Sequence, residues 1–313
     1  MVEQVEGPRH DPVLLREVLE LARPARPDGI IVDATLGLAG HATALLERWP
    51  GARLIGIDRD PRALAIARER LAPHGGRIRL FEAKHESLID ILDGEAVDRI
   101  DLLLADLGVS SLQLDEASRG FSFRAEGPLD MRMGEGGVTA GDLVNSLDER
   151  ALGRLLREWG EEPMAGPIAR AIVRARATAP IETTVQLADV VRSVKKPRRD
   201  RIDPATLTFQ ALRIAANEEL VELGAFVESG AERLLPGGRI AVISFHSLED
   251  RIVKRTLRKL EGECVCPPGM PVCGCGAVAV VKVITKRPVE ADEEEVERNP
   301  RSRSAKLRVA ERL

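Results

Sequence analysis

The sequence predicts an α/β protein with a seven-stranded, mostly parallel sheet that is interrupted by a mostly helical insertion. Over the first hundred residues, short apolar runs alternate with amphipathic segments, the pattern of right-handed βαβ crossovers. Between residues 112 and 215 no strong apolar strand run occurs. The alternation then resumes and ends on two consecutive strand signals, which we expect to pair in antiparallel fashion.

Four strand signals precede the insertion, at 29–33, 53–58, 77–81 and 100–107. Helices are expected between the first three of them, at 42–48 and 62–71. Asp60-Pro61 opens the second of these helices, because Asp caps a helix well and Pro is tolerated at its first position. Strands joined by single helices in this way predict parallel pairing.

The insertion and the segment after it carry the remaining elements. Within the insertion, helices are predicted at 140–159, 167–177 and 183–194. After it we expect a helix at 206–235, a turn at 236–238, a strand at 239–244, a helix at 248–260 and strands at 278–285 and 305–311. We therefore divide the chain into a discontinuous domain, 1–111 with 216–313, and an inserted domain, 112–215.

Composition excludes several classes of protein. The 313 residues include 46 basic and 50 acidic side chains, and this net charge of −4 argues against a generic polyanion binder. Tyrosine is absent and only six Phe and two Trp occur, which argues against recognition of single strands mainly by base stacking. No apolar run approaches the roughly 20 residues that span a bilayer. The N-terminus lacks the pattern of a signal peptide, so we expect a cytoplasmic protein without membrane contact.

The stretch 33–41 follows the first strand and opens a helix, the position at which a doubly wound sheet binds its ligand. Gly37 and Gly40 allow backbone N–H groups to approach a ligand closely, although a simple tight turn has the same composition. The stretch is not GxGxxG, which disfavours a dinucleotide. Asp58, at the end of the second strand, is placed to accept hydrogen bonds from the ribose hydroxyls of an adenosine. Helix capping is the alternative role, but Asp60 already fills it.

Asp106 ends the fourth strand and is expected to point into the same crevice. The exocyclic amine of a nucleobase is a poor nucleophile, because its lone pair is delocalised into the ring. A carboxylate that accepts an N–H bond from such an amine can rehybridise the nitrogen toward attack and help to remove its proton. The alternative is that Asp106 merely caps the following turn.

Two further parts of the sequence, the 119–133 segment and the position of His246, are candidates for a functional role. Residues 119–133 mix charge, glycine and large apolar groups without periodicity, which favours a specialised loop over a part of the core. His246 follows the fifth strand and opens a helix at the same sheet edge. A lone histidine is more often structural than catalytic, because catalytic use needs a partner.

Charge is segregated along the chain. Basic clusters occur at 192–201, 251–259 and 298–308, and each is either a phosphate-contacting surface or an ordinary solvated face. The acidic run at 290–297 is expected to be a solvated loop or helix face.

All four cysteines lie close together, as CxC-x6-CxC at Cys264, Cys266, Cys273 and Cys275. Four thiolates could hold a structural zinc ion, but the one-residue gaps are atypical of zinc knuckles. The alternative is a cysteine-bearing hairpin or loop, so the metal content stays open.

Taken together, these segments resemble one family closely, the bacterial 16S rRNA cytosine-N4 methyltransferases, which use S-adenosylmethionine. The resemblance runs nearly end to end, and its long motifs are far more specific than a single glycine loop. The matching stretches are HDPVLLREVL at 10–19, the 33–41 loop, GIDRDP at 56–61, DLGVSSLQL at 106–114, 119–123 with 128–133, TFQALRIAANEEL at 208–220, PGGRIAVISFHSLEDRIVK at 236–254 and NPRSRSAKLR at 299–308.

The resemblance implies a class I methyltransferase (Rossmann-like) fold whose inserted helical domain recognises the substrate. It places the contacts with S-adenosylmethionine at Ala39, Gly40, His41, Asp58, His85, Asp106 and Gln113. Two of these positions depart from the family pattern. Ala39 stands where the family generally has glycine, and His85 stands where it commonly has phenylalanine.

The activity that the resemblance implies is methyl transfer to N4 of a specific cytosine in the decoding region of 16S rRNA, within the 30S subunit and in the cytoplasm. The cytosine would have to be splayed into the pocket. Asp106 is the candidate catalytic residue that orients the amine or accepts its proton. Without tyrosine, the base would be held by other side chains, with Phe121, Phe123 and Phe245 as first candidates. A homodimer is a further expectation.

Three other functions fit parts of the pattern. A methyltransferase for a small molecule or a protein would share the cofactor loop and Asp58, but it would not need the 119–133 loop or the basic clusters. A non-catalytic ribosome-assembly factor could keep the fold without binding the cofactor, and Ala39 is the feature that favours it. A nicotinamide oxidoreductase fits least, because GxGxxG is missing.

Overall fold

The computed structural model describes residues 12–134, 136–196, 202–264, 266 and 276–313. The chain forms two compact units, one of Met1–Gly108 with Leu220–Leu313 and one of Val109–Glu219. The first unit contains the sheet, and the second is mostly helical. The inserted unit is a few residues longer at each end than the insertion predicted at 112–215, and its role in substrate recognition stays a prediction.

In the described residues the sheet has seven strands, in the order β3-β2-β1-β4-β5-β7-β6. The strands are β1 (Ile30–Asp33), β2 (Arg53–Asp58), β3 (Ile78–Glu82), β4 (Ile100–Asp106), β5 (Leu234–Ser244), β6 (Val281–Val283) and β7 (Lys306–Arg312). Strands β1 to β5 are parallel, while β7 runs antiparallel to both of its neighbours, β5 and β6. The strand order reverses between β1 and β4, and ligands of doubly wound sheets bind at such a switch point.

Two strands differ from the prediction. Strand β5 begins at Leu234 instead of 239, and the turn expected at 236–238 is an irregularity within it. Gly237 adopts a positive φ of 82°, and the register with β4 shifts between Ile100 and Leu102. A proline cannot donate to a regular ladder, so the strand accommodates Pro236 at this bulge. Strand β6 is only three residues long at the edge of the sheet, although 278–285 was expected.

The helices of the sheet-bearing unit surround the strands. They are α1 (Leu15–Leu21), α2 (Gly40–Arg48), α3 (Pro61–Leu71), α4 (Leu88–Gly94), α11 (Leu223–Glu232), α12 (Ser247–Leu260) and α13 (Glu293–Arg298). The pattern did not predict the short helices α1 and α4, and α13 forms where the sequence left a loop or a helix open. Helix α3 is capped as expected, since the side chain of Asp60 accepts a hydrogen bond from the backbone N–H of Arg62 at 3.0 Å.

The inserted unit contains α5 (Ser111–Asp115), α6 (Ala140–Ser146), α7 (Glu149–Gly160), α8 (Ala165–Arg176), α9 (Thr184–Val194) and α10 (Thr206–Asn217). The helix predicted over 140–159 is two helices, because Asp148 caps a new start at α7. The helix predicted over 206–235 is also two, α10 and α11. It breaks where Glu218 adopts a left-handed conformation with φ of 55°.

Two apolar clusters cover the two faces of the sheet. Alternate strand residues point to opposite faces, so Val32 and Leu103 join one cluster while Ile31 and Leu102 join the other. Burial on both faces explains why these strands read as nearly continuous apolar runs. The packed sheet gives the residues at its carboxyl edge a rigid base.

The inserted unit has an apolar core of its own, and the 119–133 loop contributes to it. Phe121, Leu129, Met131 and Met133 are all buried there. The prediction that this segment is a specialised loop and not core is therefore wrong for these side chains. Their aperiodic spacing hid the burial, because an irregular segment can still direct several apolar groups inward.

Candidate active site

Three carboxylates end three adjacent strands. Asp33 ends β1, Asp58 ends β2 and Asp106 ends β4. In the parallel ladders Asp33 pairs with Gly56 of β2 and with Leu104 of β4, so the three strands end at one edge. The structure thus brings together the acids that the sequence placed at the switch point.

The loop after β1 is tied to both neighbouring strands. Gly37 donates a backbone hydrogen bond to Oδ2 of Asp58 at 2.7 Å, and the backbone N–H of Asp106 donates to Oγ1 of Thr35 at 2.5 Å. Gly37 has a positive φ of 51°, and a Cβ added there would meet only the carbonyl oxygen of Thr35, at 3.9 Å. The loop therefore leaves open space over Gly37 before α2 begins at Gly40.

Ala39, the residue before α2, adopts a left-handed conformation with φ of 60°. This conformation costs an L-residue roughly 1–2 kcal/mol and costs glycine little. It explains physically why a glycine suits this position. The methyl group of Ala39 is fully buried among apolar neighbours, so the alanine keeps the conformation that a glycine would adopt.

Asp58 is held from two sides. Its Oδ2 accepts the hydrogen bond from Gly37, and its Oδ1 accepts one from the backbone N–H of Asp60 at 2.8 Å. Burial raises the pKa of Asp58, although these two hydrogen bonds oppose the shift. Each carboxylate oxygen has a second lone pair, so the two oxygens suit a pair of ribose hydroxyls.

His85 lies just beyond β3, whose last residue, Glu82, pairs with Asp58. Its ring meets the ring of Phe226 edge to face at a centroid distance of 4.7 Å. Burial lowers the pKa of His85, which keeps the imidazole neutral at pH 7. Within the described part of the chain, its buried Nε2 has no hydrogen-bond partner. A buried ring nitrogen of this kind can bond to a heterocyclic base, which a phenylalanine could not do.

His41 is buried between the backbone of Val13 and the side chain of Asp106. Its Nε2 lies 2.9 Å from the carbonyl oxygen of Val13, and its Nδ1 lies 3.7 Å from Oδ2 of Asp106. Burial lowers the pKa of His41 to about 4, so the ring is neutral at pH 7. A carbonyl oxygen only accepts hydrogen bonds, so the ring proton resides on Nε2 and the lone pair of Nδ1 faces Asp106.

The pKa of Asp106 is strongly perturbed. Burial raises its pKa well above the ordinary range, and the nearby carboxylates of Asp33 and Glu249 add to the shift. Asp33 itself has a pKa raised to about 7, mainly by burial. Among the residues that the structure describes, Oδ1 of Asp106 has no hydrogen-bond partner. A buried oxygen of this kind can accept a hydrogen bond from a ligand, such as one from an N–H group.

Gln113 lies in the inserted unit, where its Oε1 accepts a hydrogen bond from the backbone N–H of Ser110 at 3.1 Å. Its Nε2 donates to the carbonyl oxygen of Met133 at 3.4 Å. The side chain is thus held in place within its own unit. Its contact with the cofactor stays a prediction.

His246 caps α12, which agrees with the expectation that a lone histidine is structural and not catalytic. Its side chain accepts a hydrogen bond from the backbone N–H of Glu249, and Oε2 of Glu249 accepts one from the backbone N–H of Phe245 at 2.8 Å. Glu249 is the site residue that the sequence analysis missed, because its effect on Asp106 acts through space. Phe245 packs near Gly108, where an added Cβ would lie 3.3 Å from the ring.

The aromatic candidates differ in exposure. Phe121 is buried in the core of the inserted unit, which removes it as a base-stacking residue. Phe123 is half-buried, meets Phe209 edge to face and lies under the guanidinium of Arg192. Phe245, whose ring packs near Gly108, two residues after Asp106, remains a candidate at the carboxyl edge of the sheet.

Some side chains of the basic clusters form ion pairs within the protein. Arg308 is buried and forms an ion pair with Asp250 at 2.6 Å. Arg192 pairs with Asp203, and Lys259 pairs with Glu228. Arg308 fits neither of the two expected roles, a phosphate-contacting surface or a solvated face, because its guanidinium is enclosed.

Two of the four clustered cysteines belong to the described residues. Cys264 is exposed and Cys266 is partly exposed, whereas Cys273 and Cys275 lie outside the described residues.

None of the described helices is long and apolar enough to cross a membrane.

A sheet of this order with acids at its switch point defines a class I methyltransferase, and its cofactor is S-adenosylmethionine. The family model of the MraW methylases matches residues 7–313, so the chain belongs to the MraW methylase family. It is 53% identical over 308 residues to a protein of Anaeromyxobacter dehalogenans named ribosomal RNA small subunit methyltransferase H, covering 97% of this chain and 98% of that protein. A protein of the same name in Pelobacter propionicus is 52% identical over 312 residues, covering 98% and 99%.

Solved structures with a partly similar course of the chain include TrmN from Thermus thermophilus. It matches with a TM-score of 0.41 and 15% identity, over 96% of this chain and 48% of that one. A putative methyltransferase from Streptococcus mutans, solved in complex with SAH, matches with a TM-score of 0.40 and 12% identity, over 96% and 95%.

Proposed function

We propose that this protein transfers the methyl group of S-adenosylmethionine to N4 of a cytosine in the decoding region of 16S rRNA, within the small ribosomal subunit. The observation that carries the proposal is the buried Oδ1 of Asp106 at the carboxyl edge of the sheet, which is placed to accept a hydrogen bond from an N–H donor. Nearly full-length relatives named for small-subunit rRNA methylation support the substrate.

The residues of the edge fit the cofactor. The open space at Gly37 and the start of α2 suit its amino-acid part, the two oxygens of Asp58 suit its ribose hydroxyls, and His85 suits its base. When bound, S-adenosylmethionine supplies an electrophilic methyl group on a sulfonium centre. Ala39 already adopts the left-handed backbone that this loop requires, which argues against a protein that has lost cofactor binding.

Asp106 acts on the acceptor amine. Its Oδ1 accepts one N–H of the exocyclic amine and thereby turns the nitrogen lone pair toward the methyl group. As the new N–C bond forms, the amine must lose one proton. The lone pair of His41 Nδ1, 3.7 Å from Oδ2 of Asp106, can hold it, whereas Asp106 can do so only when its carboxyl is ionised.

The substrate is proposed to be an assembled 30S particle rather than naked rRNA. The net charge is −4, and several basic side chains are already paired within the protein, so capture of naked RNA by charge alone is disfavoured. A folded particle offers shape for recognition, and the cytosine is splayed from it into the site. We propose that the protein acts on this substrate in the cytoplasm.

Methyl transfer to small subunits from a strain that lacks the enzyme, followed by mapping of the modified nucleotide, tests the proposal. We expect label on N4 of one cytosine in the wild type. Asp106→Ala should reduce transfer by about 10²-fold or more and leave cofactor affinity, measured by calorimetric titration, within a few-fold. Label on protein or at another base position contradicts the proposed reaction. Equal losses of transfer and affinity would reduce Asp106 to a binding residue.

A further inference from the structure

Residues 12–14 form a short segment, here called the N-terminal strap, that lies against the cofactor loop. Pro12 packs on Gly40 so closely that a Cβ added to Gly40 would lie 2.5 Å from its Cγ. Val13 accepts the hydrogen bond from His41 through its carbonyl oxygen. The strap therefore contacts both the first residue of α2 and the imidazole next to Asp106.

The strap is held from the far end of the chain. The backbone N–H of Leu14 donates to Oε1 of Glu295 at 2.7 Å, across 281 positions of sequence. Leu14 is fully buried and has a left-handed φ of 55°, a conformation that persists only when its surroundings hold it. Without Glu295, this buried N–H would lose the acceptor that fixes it.

Helix α13 presents Glu295 to the strap in a fixed position. Asp292 caps the helix by accepting from the backbone N–H of Glu295 at 2.8 Å, and it also pairs with Arg16 of α1 at 3.0 Å. The acidic run at 290–297 was expected to be a solvated face. For Glu295 that expectation is wrong, because its carboxylate binds the buried backbone of the strap.

The position of Val13 decides which nitrogen of His41 carries the proton. As long as the Val13 carbonyl faces Nε2, the lone pair of Nδ1 faces Asp106. The other charged groups near this pair are the carboxyls of Asp33 and Glu249, both of which act on Asp106. A displaced strap would remove the carbonyl and allow either nitrogen to be protonated.

We infer that Glu295 is a positioning residue for methyl transfer: by fixing the strap, it keeps Nδ1 of His41 as the proton acceptor that faces Asp106. The inference rests on the proposed function for its catalytic consequence. Its structural part, the state of the His41 ring, can be measured without any substrate.

The test compares three variants of the full chain. Glu295→Ala removes the acceptor for Leu14, Glu295→Gln keeps an acceptor oxygen without the charge, and Glu294→Ala alters an exposed neighbour on the same helix. We expect Glu295→Ala to lower kcat about tenfold at saturating cofactor and to change the pH profile. Glu295→Gln and Glu294→Ala should stay within about twofold of the wild type.

The state of the ring is measured by ¹⁵N NMR of histidine-labelled protein, with His41→Gln used to assign the signal. We expect one Nε2-protonated tautomer in the wild type and in Glu295→Gln, and a mixture of tautomers in Glu295→Ala. An unchanged tautomer in a folded Glu295→Ala protein overturns the inference, even if thermal stability falls. A changed tautomer in a protein that methylates no rRNA would instead contradict the proposed function alone.

Discussion

Nδ1 of His41 lies 3.7 Å from Oδ2 of Asp106 at the carboxyl edge of the sheet, where His41 is buried and Asp106 is half-buried with its Oδ1 shielded from solvent. Burial lowers the pKa of the histidine to about 4 and raises the pKa of the aspartic acid. The ligand-free site therefore favours a neutral imidazole beside a neutral carboxyl. This pair can take up the proton that an amine loses, because the lone pair of Nδ1 is available.

Replacement of His41 should separate catalysis from cofactor binding. The amide nitrogen of His41→Gln can still donate to the Val13 carbonyl, but the variant has no group in place of Nδ1. We expect kcat for methylation of small subunits to fall about 10²-fold or more, with cofactor affinity within a few-fold of the wild type. Asn145→Ala, far along the chain in α6, serves as a control for general loss of stability. A His41→Gln enzyme with wild-type kcat would exclude Nδ1 from the reaction.

Asp33 should make folding stability depend on pH. Its folded pKa is about 7 against an ordinary 3.8, so the unfolded chain loses this proton first as the pH rises. The neutral carboxyl thus makes its full contribution to the free energy of unfolding at low pH. This contribution falls by roughly 4 kcal/mol as the pH rises from about 4 to about 7. Asp33→Asn removes this dependence. The free energy of unfolding of the variant, relative to that of the wild type, should therefore be higher at pH 8 than at pH 4.

Urea denaturation at a series of pH values measures this difference. His41 gives stability the opposite pH dependence, because its pKa is lowered in the folded protein. Its contribution to stability is lost as the pH falls from about 6.5 to about 4. The comparison between Asp33→Asn and the wild type cancels that contribution. If the two curves run parallel from pH 4 to 8, Asp33 does not titrate as its burial requires.

Ala39→Gly should stabilise the protein. The left-handed conformation of Ala39 costs an alanine more than a glycine, and the gain is reduced by the greater entropy of glycine in the unfolded chain. We expect the free energy of unfolding to rise by up to about 1 kcal/mol, with cofactor affinity unchanged or higher. Ala42→Gly, within the regular part of α2, is the matched control and should destabilise by about 1 kcal/mol.

His85 should make cofactor binding sensitive to acid. Burial lowers its pKa, so the neutral ring is the form that faces the ligand. Protonation in acid places a charge in this enclosed position, and we expect the dissociation constant for S-adenosylmethionine to rise as the pH falls. His85→Phe should bind the cofactor at pH 7 and lack the acid-dependent loss. Identical pH profiles for the two proteins would place His85 outside the cofactor site.

The strand pattern and the acids at the strand ends were predicted from the sequence, because both depend on local order along the chain. Apolar runs followed by Asp33, Asp58 and Asp106 predict strands that end at one edge, and the parallel sheet confirms it. The assignment of Asp60 as the helix cap also holds, since capping is a contact between near neighbours.

Tertiary structure alone decided which side chains are enclosed and which distant groups meet. The 119–133 segment has no periodicity, yet Phe121 is buried, and the basic run at 298–308 contains Arg308, which Asp250 neutralises inside the protein. The contact between Leu14 and Glu295 joins two ends of the chain. Periodicity records which face of an element is apolar, but it carries no information on which residue, here one 281 positions away in the sequence, the fold brings against that element.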